Sequence, residues 1–133
     1  MGFSTFGRHV VGDFHGVSGE VLNDRKLLRE ILYEAAKACG ATVVAESFAQ
    51  FEPQGVTGVL VLAESHLSIH TYPEHGFCAI DCYTCGTEVD PQKAYNYLVK
   101  RLKPQKAYRR GLERGQGEIN DLIIQTELKV VNS

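Results

Sequence analysis

The sequence predicts an α+β domain: a two-layer sandwich with a mainly antiparallel sheet and two helices on one face. Two amphipathic helical patterns stand far apart in its 133 residues. Between them lie β-rich runs joined by short turns, and short connections favour antiparallel neighbours. The length fits one domain, which at this size buries roughly two-thirds of the surface its unfolded chain exposes.

Residues 8–14 (RHVVGDF) read as the first strand. Residues 23–39 read as a helix, because Leu27, Leu28, Ile31, Leu32, Ala35 and Cys39 recur at helical spacing. Asn23 is placed to cap its start and Gly40 to end it in a left-handed conformation. Runs at 41–50, 57–63, 66–72 and 77–84 read as strands, punctuated by Pro53 with Gly55 and by Pro73 with Gly76. Asp90-Pro91 starts a second helix, with Ala94, Leu98 and Leu102 on its apolar face and Pro104 as its stop. Residues 106–113 and 119–131 read as closing strands. The order is written βαβββαββ. Helices on one face leave the other face of the sheet to be covered. A second copy of the chain is the simplest cover, giving a four-layer αββα dimer.

Composition removes several classes of function. The formal net charge is −2, and the basic cluster of Arg109, Arg110 and Arg114 reads as a solvated face rather than a nucleic-acid surface. No apolar run is long enough to span a bilayer, and Met1–Gly7 lacks the segments of a signal peptide. These features predict a cytoplasmic protein whose four cysteines stay reduced.

Chemistry concentrates in residues 64–86, ESHLSIHTYPEHGFCAIDCYTCG. Taken alone, the segment leaves three readings open. Each Ser, His or Cys suits an ordinary structural place. Cys82 and Cys85, with Cys78, His66, His70 and His75, could form a metal or thiol module. Against that, Cys78 and Cys82 share one face of an extended strand, and Cys85 starts from the other. The third reading is self-processing: Ser65 attacks the Glu64 carbonyl, a nearby base removes the Ser65 α-hydrogen, and the chain breaks. Ser65 and His70 are five positions apart, on opposite strand faces, so a histidine from a second subunit meets the serine more readily.

ESHLSIHTYPEHGF followed by DCYTCG resembles the S-adenosylmethionine decarboxylase family in its short prokaryotic form. GRHVVGDF, FEPQGVTGVLVLAESH, VDPQKA and ERGQG extend the likeness over nearly the whole chain. The resemblance implies cleavage between Glu64 and Ser65 into a 1–64 chain and a 65–133 chain. It implies that Ser65 becomes a pyruvoyl group, the cofactor, which holds the substrate as a Schiff base. By the same resemblance His70 is the proton acceptor in processing and Cys85 the proton donor in decarboxylation. Phe51 stacks on adenine and Glu74 binds the ribose hydroxyls. Thr57 supports processing where relatives carry serine, and its stiffer χ1 predicts slower cutting. The implied substrate is S-adenosylmethionine, the implied product the aminopropyl donor for spermidine. The implied assembly is a homodimer with no metal, nucleic acid or membrane partner. A pyruvoyl-dependent arginine or ornithine decarboxylase of the same fold is the main rival. Phe51 and Glu74 weigh against it, since an amino-acid substrate needs no adenine platform.

Overall fold

The computed structural model describes residues 5–122. Strands β1 (Gly7–His15), β2 (Val43–Gln50), β3 (Val56–Leu62), β4 (Ser65–Tyr72), β5 (Phe77–Cys85), β6 (Lys106–Arg114) and β7 (Asn120–Asp121) form one sheet. Its order is β2-β3-β4-β5-β1-β6-β7, and every neighbouring pair is antiparallel. Helices α1 (Gly19–Leu22), α2 (Arg25–Ala38) and α3 (Pro91–Leu102) complete it, with a 3-10 turn at Pro73–His75.

The α+β class and the antiparallel sheet agree with the sequence, and three details differ. Four strands separate α2 from α3, as the four β-rich runs require, so βαβββαββ is one strand short. The expected helix start at Asn23 divides in two. Asp24 caps α2, its Oδ1 accepting from the Leu27 amide at 3.0 Å. Asn23 instead ends the short α1, and its Oδ1 accepts from Gly55 N and Gln50 Nε2, tying down the β2–β3 loop. Both residues are good caps, and local sequence alone does not choose between them. The closing strand expected at 119–131 is seen as Asn120–Asp121, and residues 123–131 of it lie outside those described.

Strand alternation decides what faces the helices. In β5, Cys78, Ile80, Cys82 and Thr84 are buried while their neighbours are half-exposed. Val10 and Phe14 of β1, Leu60 and Leu62 of β3, and Leu67 and Ile69 of β4 join them. All meet Leu28, Ile31, Leu32 and Ala35 of α2 and Ala94, Leu98 and Leu102 of α3 in one core. A fully buried side chain of this size contributes about 1.5–3 kcal/mol. α2 lies over β2, β3 and β4, and α3 lies over β1 and β5. The other sheet face carries no helix among the described residues. It is mixed: Val59, Val61 and Ala79 alternate in position with His66, Ser68, His70 and Asp81, and Val61 is 43% exposed.

Candidate active site

β3 and β4 are joined by two residues, Ala63 and Glu64, because Leu62 pairs with Ser65. So tight a hairpin turn normally demands a residue that tolerates positive φ, most often Gly or Asn. Glu64 occupies that place with φ 62°. A left-handed non-glycine residue costs roughly 1–2 kcal/mol, so strain sits at the bond before Ser65. The turn is anchored by the Ala63 amide, which donates to Thr42 O at 2.9 Å.

Cys85, the last residue of β5, donates its thiol hydrogen to the Glu64 carbonyl at 2.8 Å. The Ser65 hydroxyl donates to Ala63 O at 3.3 Å, one residue from the carbonyl it would attack. Ser65 opens β4 and Cys85 closes β5, at the ends of neighbouring strands. A residue held in a left-handed conformation, a hydroxyl beside its carbonyl and a donor on that carbonyl oxygen form the parts list for acyl transfer.

A second group forms at the far end of β3 and β4. Thr57 pairs with His70 across the ladder, with Thr57 Oγ1 3.2 Å from His70 Nδ1. Glu74 lies exposed in the 3-10 turn just beyond. Phe51, 49% exposed, sits against Gly55 in the β2–β3 loop. Its amide donates to Gly55 O at 2.8 Å. Gly55 has φ 113°, and a Cβ there would lie 3.3 Å from Thr71 O, so this loop is built around glycine. At about 3.3 Å per residue, the five-residue step from Ser65 to His70 spans roughly 16 Å along the strand. One chain does not bring the two together.

The cysteines divide as strand parity requires. Burial, then the charge of Asp13, pushes the Cys78 thiol up to about 12. Cys82 is also raised, first by its hydrogen bond with Cys39 and then by burial. Both are neutral thiols in the core, on the side of the strand away from Cys85. The Cys78/Cys82/Cys85 module weighed from sequence is not assembled.

One cluster goes unread in the sequence. Asp81 Oδ2 accepts from His9 Nε2 and from His66 Nε2, each at 2.8 Å, and Asp81 Oδ1 accepts from the Ser68 hydroxyl. Burial alone would raise the Asp81 carboxyl, but the hydrogen bonds from His9, Ser68 and His66 hold it well below the usual carboxylate range. The Tyr83 ring packs beside both histidines, and the Arg114 guanidinium lies 5.0 Å over that ring. The signal that could have found it was a charged residue at the centre of an apolar strand, FCAIDCY.

Known proteins resemble this chain in sequence and fold. The family model for S-adenosylmethionine decarboxylase matches residues 8–115. The chain is 62% identical over 122 residues to the S-adenosylmethionine decarboxylase proenzyme of Symbiobacterium thermophilum, covering 92% of each protein. It is 54% identical over 133 residues to the proenzyme of Brevibacillus brevis, covering 100% of this chain and 98% of that one. The crystal structure of the adenosylmethionine decarboxylase from Aquifex aeolicus superposes with a TM-score of 0.75 at 36% identity, covering 95% of this chain and 99% of that chain.

Proposed function

The chain belongs to the S-adenosylmethionine decarboxylase family, and from that premise we propose that it cuts itself between Glu64 and Ser65 and then decarboxylates S-adenosylmethionine. The observation that carries this reading is the Cys85 thiol on the carbonyl oxygen of Glu64, a residue held in a left-handed conformation before Ser65.

In the cutting step the Ser65 hydroxyl turns from Ala63 O and its oxygen attacks the Glu64 carbonyl carbon. Cys85 donates to the carbonyl oxygen as negative charge develops there. The C–N bond breaks, the nitrogen takes the hydroxyl proton, and an ester replaces the amide. Release of the left-handed Glu64 conformation favours this direction. A base then removes the Ser65 α-hydrogen, and elimination frees the Glu64 carboxylate as the end of a 1–64 chain. Water hydrolyses the remaining dehydroalanine, ammonia leaves, and residue 65 becomes a pyruvoyl group.

The surroundings suit that group. Position 65 is half-buried, opens a strand, and has a thiol at its shoulder. A pyruvoyl group supplies a carbonyl for the substrate amine and an electron sink for the departing carboxylate. The remaining work falls to this chain's side chains. Cys85 returns a proton to the substrate α-carbon. Phe51 offers an exposed ring to adenine or to the sulfonium. Glu74 accepts hydrogen bonds from the ribose diol. Phe51 and Glu74 favour a nucleoside over free arginine or ornithine.

His70 is the processing base in this reading, with Thr57 holding its ring, and it acts on Ser65 of a second subunit. The distance along β4 supports a site shared across a homodimer, formed by the helix-free sheet faces. Decarboxylated S-adenosylmethionine serves as the aminopropyl donor in polyamine synthesis. No helix of the described residues is long and apolar enough to cross a membrane.

Intact-mass analysis under denaturing conditions tests the proposal. Two fragments divided between residues 64 and 65, the second with a blocked N-terminus, support it. The same cut in Ser65→Ala would sink it.

A further inference from the structure

The Asp81 cluster lies beside the cut but has no part in the chemistry above. Its proton inventory is fixed by one neighbour. Arg114 Nη1 stands 3.2 Å from His9 Nδ1, and a guanidinium only donates. His9 Nδ1 is therefore the acceptor, and the ring hydrogen sits on Nε2, where it is given to Asp81. The three ligand atoms of His9, His66 and Asp81 lie within 4.8 Å of one another, a spacing that also suits a cation. A cation on His9 Nε2 would require the hydrogen on Nδ1, facing the Arg114 donor. The same three groups work without conflict as a hydrogen-bonded clamp.

We propose that Asp81 is a positioning residue whose clamp on His66 and Ser68 holds residue 65 in place once the chain has been cut. The inference rests on the reading that the chain is cut before Ser65. In the uncut chain the two-residue turn ties residue 65 to β3 covalently. After cutting, residue 65 becomes the first residue of a chain, and free strand ends fray. β3 then belongs to the other fragment. The strand that stays covalently continuous with residue 65 is β5, and their ladder starts at His66 opposite Tyr83. One carboxylate on β5 grips β4 twice, at His66 and at Ser68. Tyr83, beside the His66 ring, is admitted by Gly7, where a Cβ would lie 2.7 Å from its hydroxyl.

Asp81 and Cys85 lie four residues apart on β5, with side chains on the same face. The clamp therefore references residue 65 to the strand that carries the proton donor. Without it, residue 65 keeps its chemistry but loses its registry with the Cys85 thiol.

The test compares Asp81→Ala and Asp81→Asn, each in the cleavable protein and in the uncut Ser65→Ala background. Two readouts are used: amide hydrogen exchange over residues 66–72, and kcat against KM for S-adenosylmethionine. Asparagine is the fold-sparing variant. Its carbonyl oxygen accepts from both histidines while its amide donates to Ser68 Oγ. In the uncut protein Asp81→Ala should speed exchange only as far as it lowers overall stability. In the cut protein it should speed exchange by at least about tenfold more, the scale of a lost hydrogen bond to a charged group. It should lower kcat by about 10²-fold with KM held, the scale of a small misplacement of reacting groups. Asp81→Asn, which keeps the geometry with neutral and weaker hydrogen bonds, should fall measurably between wild type and Asp81→Ala in both. Equal exchange in cut and uncut proteins overturns the proposal, as does unchanged kcat or a failure of Asp81→Ala to cut. If Asp81→Ala does not fold, wild-type exchange and kcat in Asp81→Asn overturn it. Wild-type protein that stays whole by mass sinks the cleavage reading instead, which keeps the two failures apart.

Discussion

The Cys85 thiol donates to the Glu64 carbonyl oxygen at 2.8 Å, linking the end of β5 to the bond before β4. In the proposed mechanism this contact gives one cysteine two tasks at one place, first on the chain's own carbonyl and then on the substrate carbon. Replacing Cys85 by Ala should slow self-cleavage by about 10²–10³-fold, the loss seen when one oxyanion donor is removed. Any cut material should bind S-adenosylmethionine yet turn it over poorly. A mass time course and a carbon dioxide release assay check the two effects. Normal turnover by cut Cys85→Ala would remove the proposed acid.

Glu64→Gly should slow cutting as well, for a different reason. Glycine accepts the left-handed conformation without the roughly 1–2 kcal/mol that glutamate carries there. If that strain is released as the amide rearranges, removing it slows the reaction by about five- to thirtyfold. An unchanged rate in Glu64→Gly would show that the strain does not drive the step.

The division of the site between subunits is tested by complementation. Ser65→Ala and His70→Ala should each stay largely uncut. Mixed under conditions of subunit exchange, they form a dimer in which one intact Ser65 faces an intact His70. That site should cut, giving new fragments by mass. If exchange is demonstrated and no fragment forms, His70 does not act across the interface.

Phe51→Ala should weaken S-adenosylmethionine binding by about 1–3 kcal/mol, the scale of a lost base stack. Calorimetric titration of cut protein measures it. Cut wild-type protein should prefer S-adenosylmethionine to arginine and ornithine. Faster turnover of arginine would hand the assignment to the rival substrate class.

Acid should destabilise the uncut Ser65→Ala protein through two carboxylates. Hydrogen bonds from His9, Ser68 and His66 overcome burial to lower Asp81, and Arg29, then Tyr33, lower Glu46 to about 2. A carboxyl depressed on folding stabilises above its unfolded value, near 4. That contribution is lost as pH falls through the folded value. Tm measured by calorimetry should therefore decline below pH about 4. Asp81→Asn should start lower at neutral pH and show a shallower acid limb. Equal slopes in the two proteins would remove Asp81 from the account.

Much of the fold was legible because strands and helices write their periods locally. The stripe of Leu28, Ile31, Leu32 and Ala35 gave α2, and Asp90-Pro91 gave the start of α3. The α1–α2 break was not legible, since Asn23 and Asp24 are equally good caps. Asn23 serves the β2–β3 loop instead, where the Gly55 amide, 32 residues away, donates to its Oδ1 at 2.9 Å. The strand runs at 57–63, 66–72 and 77–84 already left Glu64, Ser65 and Cys85 just beyond strand ends. The opposition of Ser65 and His70 was readable from alternation alone.

By itself the sequence determined which residues share a strand face, where α2 and α3 lie, and that the reactive types cluster at 64–86. Those properties depend on neighbours a few positions apart, where φ/ψ periodicity rules. The tertiary structure alone decided which groups meet across strands. Asp81 finds His9 from 72 residues earlier because β1 pairs with β5, and finds His66 because β4 pairs with β5 on its other side. The Cys85 thiol finds the Glu64 carbonyl because a two-residue turn ends β3 where β5 also ends. Such meetings depend on register across separate strands, which the shared core fixes and local sequence leaves open.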